Sequence, residues 1–245
     1  HAVWVDAAGQ KNDWLIDCGD EDAVNFTLTD FLHAHGVNEI PRLVLTEGAV
    51  RNCGGAQLLD ELFGVGKLWT SPVHFRSSAY NESVAEFEQP PSRHKILNRG
   101  VSIGHWQVLW PSSTNNFSRA DDNALVLLGN FSGKKILLLS DLDRNGQSEL
   151  LAQKDNLRAD IVVAGLPSAG EPLCDALLDA TQSKVIIIAD SEFPANRRAN
   201  PTLHERLAQR NMPIIYTRSA DAVKILVGEN RWKLQTMDGQ VFSSP

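Results

Sequence analysis

The sequence predicts an α/β fold in which helices cover two β-sheets, a four-layer αββα sandwich. Residues 94–139 contain short strand-like runs punctuated by Gly, Pro and Asn, which is typical of antiparallel strands. Residues 147–217 alternate between helix and strand patterns, which is typical of a parallel sheet with crossover helices. Two β-rich halves with helices between them fit a four-layer sandwich.

The first half of the chain is predicted to open with two strands, at residues 2–5 and 14–17, joined by a turn at Gly9 and Asn12. Apolar residues at helical spacing predict a helix over residues 23–35, which Gly36 ends. The remaining elements of this half are predicted as strand 43–46, helix 56–63, strand 67–70 and helix 77–87.

The second half is predicted to begin with a run of antiparallel strands at residues 95–97, 106–110, 125–130 and 135–139. Helices then alternate with strands: helix 147–153, strand 161–163, helix 172–178, strand 185–189, helix 201–209 and strand 214–217. Pro172 and Pro201 are predicted to stand at helix starts, where a missing N–H has no cost. A hairpin of strands 223–227 and 232–235 closes the chain.

Composition limits the possible functions. With 245 residues, of which 42% are hydrophobic, the chain can bury a large core, and we expect one domain spanning residues 1–245. The net charge of −7 disfavours strong binding to nucleic acid, so single-stranded DNA is expected to bind only weakly. Cys18, Cys53 and Cys174 have no metal-binding spacing and are expected to be buried free thiols.

The stretch at residues 43–59 is the organising feature of the sequence. It reads LVLTEGAVRNCGGAQLL: an apolar strand, the seven loop residues 47–53, and Gly54-Gly55 at the start of an amphipathic helix. This order resembles the ligand motif of metallo-β-lactamase-fold hydrolases, His-x-His-x-Asp-His-x-Gly-Gly. The resemblance implies the metallo-β-lactamase fold for the predicted sandwich.

Five further landmarks are similar to the metallo-β-lactamase domain of ComEC-type DNA-uptake channel proteins, and they follow one another in the family's order. They are LIDCG at residues 15–19, DNALV at 122–126, LLLSDL at 137–142, LPSAG at 166–170 and Asn200-Pro201. The resemblance implies a fragment of a longer membrane protein on the extracytoplasmic (periplasmic) side of the membrane. Its partners would be the membrane-channel portion of the same polypeptide and, weakly, single-stranded DNA, with no small-molecule cofactor.

The family's metal ligands are almost all replaced. The positions of the ligand motif carry residues that cannot rebuild a zinc site, and only one aspartate of the motif set remains. In this chain the degenerate positions are Glu47, Ala49, Arg51, Asn52, Asp141, Ser168 and Asn200, of which Asp141 is the survivor. Zinc in a catalytic site needs about three imidazole, thiolate or carboxylate ligands. We therefore expect no catalytic residue, and we expect the ancestral zinc or manganese site to be lost.

Two functional hypotheses follow. The first is a non-catalytic accessory domain, a pseudoenzyme, of a ComEC-like protein in natural competence. The alternative is an active metal-dependent phosphodiesterase or nuclease acting on DNA, in which Glu47 and Asp141 bind Mg²⁺ or Mn²⁺ with carbonyl oxygens from Asn52 and Asn200. Arg51 weighs against the alternative, because its permanent positive charge repels a metal ion.

Two expectations concern arginines. Arg51 is predicted to form an ion pair with Asp141, or failing that with Glu47, as the structural substitute for the lost metal. Arg197 and Arg198, which precede the helix predicted to start at Pro201, are candidates for phosphate contact. Two adjacent arginines more often form a solvated loop than a phosphate site.

Overall fold

The structure, a computed structural model, describes residues 2–6, 13–229 and 231–244. The chain divides into two compact units. Unit 1 comprises His1–Asn98 and Pro111–Asn123, and unit 2 comprises Arg99–Trp110 and Ala124–Pro245. The turn predicted at Gly9 and Asn12 lies outside the described residues, and the assignment of residues 1–245 to one domain stays a prediction.

Unit 1 contains a five-stranded sheet in the order β1-β2-β3-β4-β5. Strands β1 and β2 are antiparallel, and β2 to β5 are parallel to one another. The strands are β1 (Val3–Val5), β2 (Trp14–Ile16), β3 (Ile40–Leu45), β4 (Val65–Thr70) and β5 (His94–Ile96).

The position of β5 corrects one prediction. The strand at 95–97 was expected to open the antiparallel run, but β5 pairs in parallel with β4 at the edge of the first sheet. Helix α5 (Ser78–Phe87) connects β4 to β5, and Ser77 caps its N-terminus. A strand, helix and strand in succession form a crossover connection, which returns the chain parallel to its starting direction.

The helices of unit 1 pack on one face of this sheet and form its hydrophobic core. A helical segment runs from Glu21 to Ala34 as α1 (Glu21–Ala23), a π-helical turn (Val24–Leu28) and α2 (Thr29–Ala34), and Gly36 follows it with a φ of 70°. Helix α4 (Ala56–Phe63) has the predicted bounds. The one-turn helix α3 (Val50–Cys53) was not predicted.

Unit 2 contains a seven-stranded mixed sheet in the order β12-β11-β10-β9-β8-β7-β6. Strands β6 to β9 are antiparallel, as the run of short strands predicted, and β9 to β12 are parallel. The strands are β6 (Ser102–Ile103), β7 (Trp106–Trp110), β8 (Val126–Phe131), β9 (Lys134–Leu138), β10 (Ile161–Ala164), β11 (Val185–Ile188) and β12 (Ile214–Tyr216).

A separate three-stranded antiparallel sheet closes unit 2. It consists of β13 (Val223–Val227), β14 (Trp232–Thr236) and β15 (Val241–Ser243). The first two strands confirm the predicted hairpin, whereas β15 was not predicted.

The helices of unit 2 are α6 (Arg144–Ala152), α7 (Asp175–Thr181), α8 (Pro201–Ala208) and α9 (Thr217–Ala220). Pro201 begins α8 as predicted, but Pro172 does not begin α7. Leu173 has a φ of 59° and Cys174 is extended, so the chain becomes helical only at Asp175. Mixed sheets with helices in both units confirm the predicted α/β class.

Within the described ranges, no helix is both long and apolar enough to cross a membrane. Each of the three cysteines is a free thiol; Cys18 and Cys53 are buried and Cys174 is half-buried. Burial raises the pKa of Cys53 to about 12, with the charges of Asp17 and Glu47 adding to the effect.

Candidate functional site

The candidate site of unit 1 is the segment between β3 and α4, residues 46–55, which we name the site loop. Backbone bonds hold it against residues 18 and 19: the N–H groups of Cys18 and Gly19 donate to the carbonyl oxygen of Asn52 at 3.0 and 3.2 Å. The N–H of Gly55 donates in return to the carbonyl of Gly19 at 3.0 Å. The LIDCG landmark therefore fixes the shape of the loop.

Asp17 fixes the point at which β3 ends. Its buried carboxylate accepts hydrogen bonds from the Thr46 backbone N–H at 2.8 Å and from the Thr46 hydroxyl at 2.7 Å. Asp17 has a φ of 57°, in the left-handed region that aspartate tolerates better than most residues. Its carboxylate is used to position the loop.

Arg51 is the centre of the site loop. Its Nη2 atom lies 3.0 Å from Oδ1 of Asp121 and 3.3 Å from Oε1 of Glu47. The exposed fraction of the side chain is 20% for Arg51, 4% for Asp121 and 0% for Glu47. The Arg51–Glu47 ion pair, the fallback of the two predicted pairs, is present, and Asp121 is a second partner that sequence reasoning missed. The preferred pair, Arg51 with Asp141, stays a prediction.

The position of Asp121 depends on a neighbouring asparagine. Asn123 accepts a hydrogen bond from the Phe117 N–H at 3.0 Å and donates to the carbonyls of Phe117 and Arg119, each at 2.8 Å. These three bonds fold residues 117–123 into a compact turn that carries Asp121. The asparagine of the DNALV landmark thus explains how a residue distant in sequence reaches Arg51.

The donor atoms in the site loop do not fit the metal ions of the resembled family. The Nδ2 amide of Asn52 donates to Oε1 of Glu47 at 2.5 Å, and Nη2 of the Arg51 guanidinium lies 3.3 Å from the same oxygen. Ala49 has no donor atom. In the part of the chain that the structure describes, no group of three or more His, Cys, Asp or Glu side chains is arranged for a metal ion.

The other predicted site positions lie in unit 2, after the carboxyl ends of neighbouring parallel strands. Asp141 is buried and follows β9, and Ser168 follows β10. Ser140 has a φ of 49°, and its carbonyl accepts a hydrogen bond from the Gly165 N–H at 2.7 Å. The two loops are therefore joined at one edge of the sheet, where binding sites of α/β folds usually lie.

Gln147 connects the same loops from within α6. Its buried side chain donates to the carbonyls of Leu142 at 2.8 Å and Glu171 at 3.0 Å, and it accepts from the Cys174 N–H at 2.7 Å. The backbone at Gly170 lies close to the Asp143 side chain, which is the N-cap of α6. A Cβ at position 170 would overlap the Asp143 carboxylate. Gly170 is the last residue of the LPSAG landmark, whereas Gln147 was not singled out in the sequence.

Asn200 is the N-cap of α8. Its Oδ1 accepts a hydrogen bond from the Leu203 N–H at 2.7 Å, which satisfies a free donor of the first helical turn. This capping bond uses one of the two lone pairs of the carbonyl oxygen that the alternative hypothesis assigned to a metal ion.

The two candidate phosphate contacts differ in their surroundings. Arg198 forms an ion pair with Glu192 at 2.7 Å, donates from Nε to the Glu192 carbonyl at 2.7 Å, and lies 5.5 Å from the centre of the Phe193 ring. Arg197 ends the short 3₁₀ turn Ala195–Arg197. Glu192 neutralises Arg198, and a phosphate contact by either arginine stays a prediction.

A buried carboxylate at the end of β11 was also missed. Asp190 accepts hydrogen bonds from the N–H groups of Ala199 at 3.3 Å and Arg218 at 2.9 Å, and its Oδ2 lies 3.9 Å from Nε of Arg218. The signal was an aspartate directly after the apolar run of β11. These bonds show that Asp190 secures the loop leading to α8.

The chain is similar in sequence to a bacterial protein of greater length. It is 26% identical over 187 residues to ComE operon protein 3 of Bacillus subtilis (strain 168), a match covering 74% of this chain and 23% of that protein. The chain thus spans about a quarter of the length of this relative. No family model matches.

The fold can be compared with solved structures. A metal-dependent hydrolase of the β-lactamase superfamily superposes with a TM-score of 0.53 and 11% identity over 84% of this chain and 86% of that chain. A metallo-β-lactamase mutant from Cronobacter sakazakii gives a TM-score of 0.45 and 13% identity over 66% of this chain and 72% of that chain. The first of these confirms the predicted four-layer αββα fold class.

Proposed function

Since this chain is a ComEC-like domain with the metallo-β-lactamase fold, we propose that it is a non-catalytic accessory domain of a DNA-uptake protein in natural competence. In this proposal the hydrolase fold is kept for structure and contact, and the metal chemistry is lost.

The observation that carries the proposal is the position of Arg51. Its guanidinium lies against two buried carboxylates in the loop where the resembled family carries metal ligands. Coulomb's law gives roughly 8 kcal/mol of repulsion between a guanidinium and a divalent ion 4 Å apart at an effective dielectric constant of 20. A complete structural zinc site gains about 10–16 kcal/mol, so a repulsion of this size would cancel about half of the gain or more.

The remaining parts of the proposal come from the resemblance. The domain is assigned to the extracytoplasmic side of the cell membrane, where it contacts the membrane-channel portion of its own polypeptide and, weakly, single-stranded DNA. The net charge of −7 supports weak rather than strong DNA contact.

A nuclease assay tests the absence of catalysis. The purified chain is incubated with single-stranded DNA, double-stranded DNA and a phosphodiester reporter in the presence of Mg²⁺, Mn²⁺ or Zn²⁺. We expect the same background rate for the wild type and for Asp141→Ala, the variant that lacks the one retained ligand. A phosphodiesterase of the same fold with intact ligands is the positive control. A wild-type rate that depends on both metal and Asp141 would establish the alternative, an active metal-dependent hydrolase.

A further inference from the structure

The C-terminal sheet, β13 to β15, has two chemically different faces. The strand register places Trp232, Leu234 and Thr236 of β14 on one face, where all three are buried. Side chains alternate along a strand, so the intervening residues form the opposite face, which we name the outer face. It consists of Lys224, Leu226, Lys233, Gln235, Val241 and Ser243.

The outer face exposes apolar side chains. Leu226 is 42% exposed and Val241 is 56% exposed, and Met237 in the turn after β14 is 73% exposed. A sheet with one face in water normally alternates apolar residues inward with polar residues outward. Leu226 and Val241 break that rule.

The charge of the outer face has one sign. In the ranges 2–6, 13–229 and 231–244, no carboxylate lies within ion-pair distance of Lys224 or Lys233. The acidic residues of this segment, Asp221, Glu229 and Asp238, lie outside its strands. The outer face itself therefore carries two positive side chains and no negative one, while Asp221, Glu229, Arg231 and Asp238 lie in the neighbouring turns.

Edge protection explains only part of this pattern. A lysine on an edge strand such as β13 discourages pairing with another sheet, which accounts for Lys224. Lys233 lies on the central strand β14, and edge protection does not call for exposed Leu226 and Val241. A platform for single-stranded nucleic acid would need exposed aromatic rings, whereas Trp232 is buried and Phe242 shares the inner face with Leu234.

Lysines interspersed with exposed aliphatic side chains suit a partner that has a negatively charged surface layer over an apolar interior. We propose that the outer face is a docking surface for an anionic lipid bilayer. Lys224 and Lys233 contact lipid phosphates, and Leu226 and Val241 enter the boundary between headgroups and acyl chains. This inference depends on unit 2 alone and stands whether or not the domain is catalytic.

Vesicle sedimentation tests the proposal. The chain is mixed with vesicles of phosphatidylcholine alone or of equal parts phosphatidylcholine and phosphatidylglycerol, at low and physiological salt. Binding is expected only to the anionic vesicles and should weaken as salt rises. A lysine near an anionic surface contributes about fivefold in partitioning, so Lys224→Gln with Lys233→Gln should reduce binding about 25-fold. Leu226→Ser with Val241→Ser should reduce it several-fold.

The matched control is Lys67→Gln with Lys134→Gln, which removes the same charge from strands β4 and β9. It should bind like the wild type, and unfolding midpoints should show that all variants are folded. The proposal is overturned if the wild type does not bind anionic vesicles, or if both double lysine variants lose binding equally. A single-stranded oligonucleotide that binds through Lys224 and Lys233, with no vesicle binding, would assign the surface to nucleic acid instead.

Discussion

Replacement of Arg51 by alanine is the sharpest test of the site geometry. The variant leaves Glu47, with a fully buried side chain, and Asp121, with 4% exposure, without the guanidinium that lies 3.3 and 3.0 Å from them. Removing one partner of a buried ion pair costs about 3–5 kcal/mol. Two carboxylates are affected, but Arg51 is 20% exposed and Asn52 still donates to Glu47, so we expect a loss of about 3–4 kcal/mol, in the lower half of this range.

That loss is large compared with the stability of an ordinary domain, which is about 5–15 kcal/mol. It can be measured by urea unfolding followed through tryptophan fluorescence, because unit 1 contains Trp14 and Trp69. Arg51→Lys is the matched charge-retaining variant. It keeps one positive charge but loses the fork that reaches two carboxylates, so it should lie between the wild type and Arg51→Ala.

A double variant separates lost charge balance from lost packing. Arg51→Met with Glu47→Gln removes one charge of each sign, and the new glutamine side chain can still accept the hydrogen bond that Asn52 donates to Glu47. We expect the double variant to be more stable than Arg51→Ala. The reasoning is refuted if Arg51→Ala unfolds within about 0.5 kcal/mol of the wild type, the range of an ordinary surface substitution.

Three further predictions follow from other residues. Gly170→Ala should destabilise unit 2 by about 1–3 kcal/mol in urea unfolding, because the new methyl group overlaps the carboxylate of Asp143; an unchanged midpoint would contradict the close approach. Burial lowers the pKa of His94 below its usual value, so the folded state favours the neutral ring. Its contribution to the free energy of unfolding is therefore present above the unfolded pKa of about 6.5 and is lost as the pH falls. In His94→Gln the free energy of unfolding should decrease less between about pH 7 and pH 5 than it does in the wild type. In a thiol-reactivity assay the native chain should be modified at half-buried Cys174 before Cys53, whose raised pKa keeps the thiol protonated; the reverse order would show that the site loop opens readily.

The sequence predicted the elements whose signals are local. Helix α4 has a clear apolar stripe after Gly54-Gly55, and α8 has Asn200 as a cap with Pro201 as its first residue. The start of α7 was wrong because Pro172 is compatible with a helix start, whereas the left-handed conformation of Leu173 leaves no trace in the sequence. The parallel pairing of β5 could be predicted only by recognising that β4, α5 and β5 form a crossover connection.

The candidate site was likewise predictable only where its residues are close in sequence. The Arg51–Glu47 pair joins two residues of the loop that resembles the family's ligand motif, so sequence reasoning could name it as the fallback to an Arg51–Asp141 pair. Asp121 is separated from Arg51 by 70 residues and reaches it only through the turn organised by Asn123. No periodicity or spacing carries that information, because the contact depends on tertiary structure.

Metal content distinguishes a site loop held by ion pairs from one that binds metal. The purified chain is dialysed against Zn²⁺ and Mn²⁺, freed of unbound ions, and measured by elemental analysis beside a metallo-β-lactamase-fold hydrolase with intact ligands. We predict stoichiometric metal in the hydrolase and far less than one ion per chain here, because Arg51 already provides the positive charge beside Glu47 and Asp121. One or more tightly held ions per chain, lost in Asp141→Ala, would contradict it.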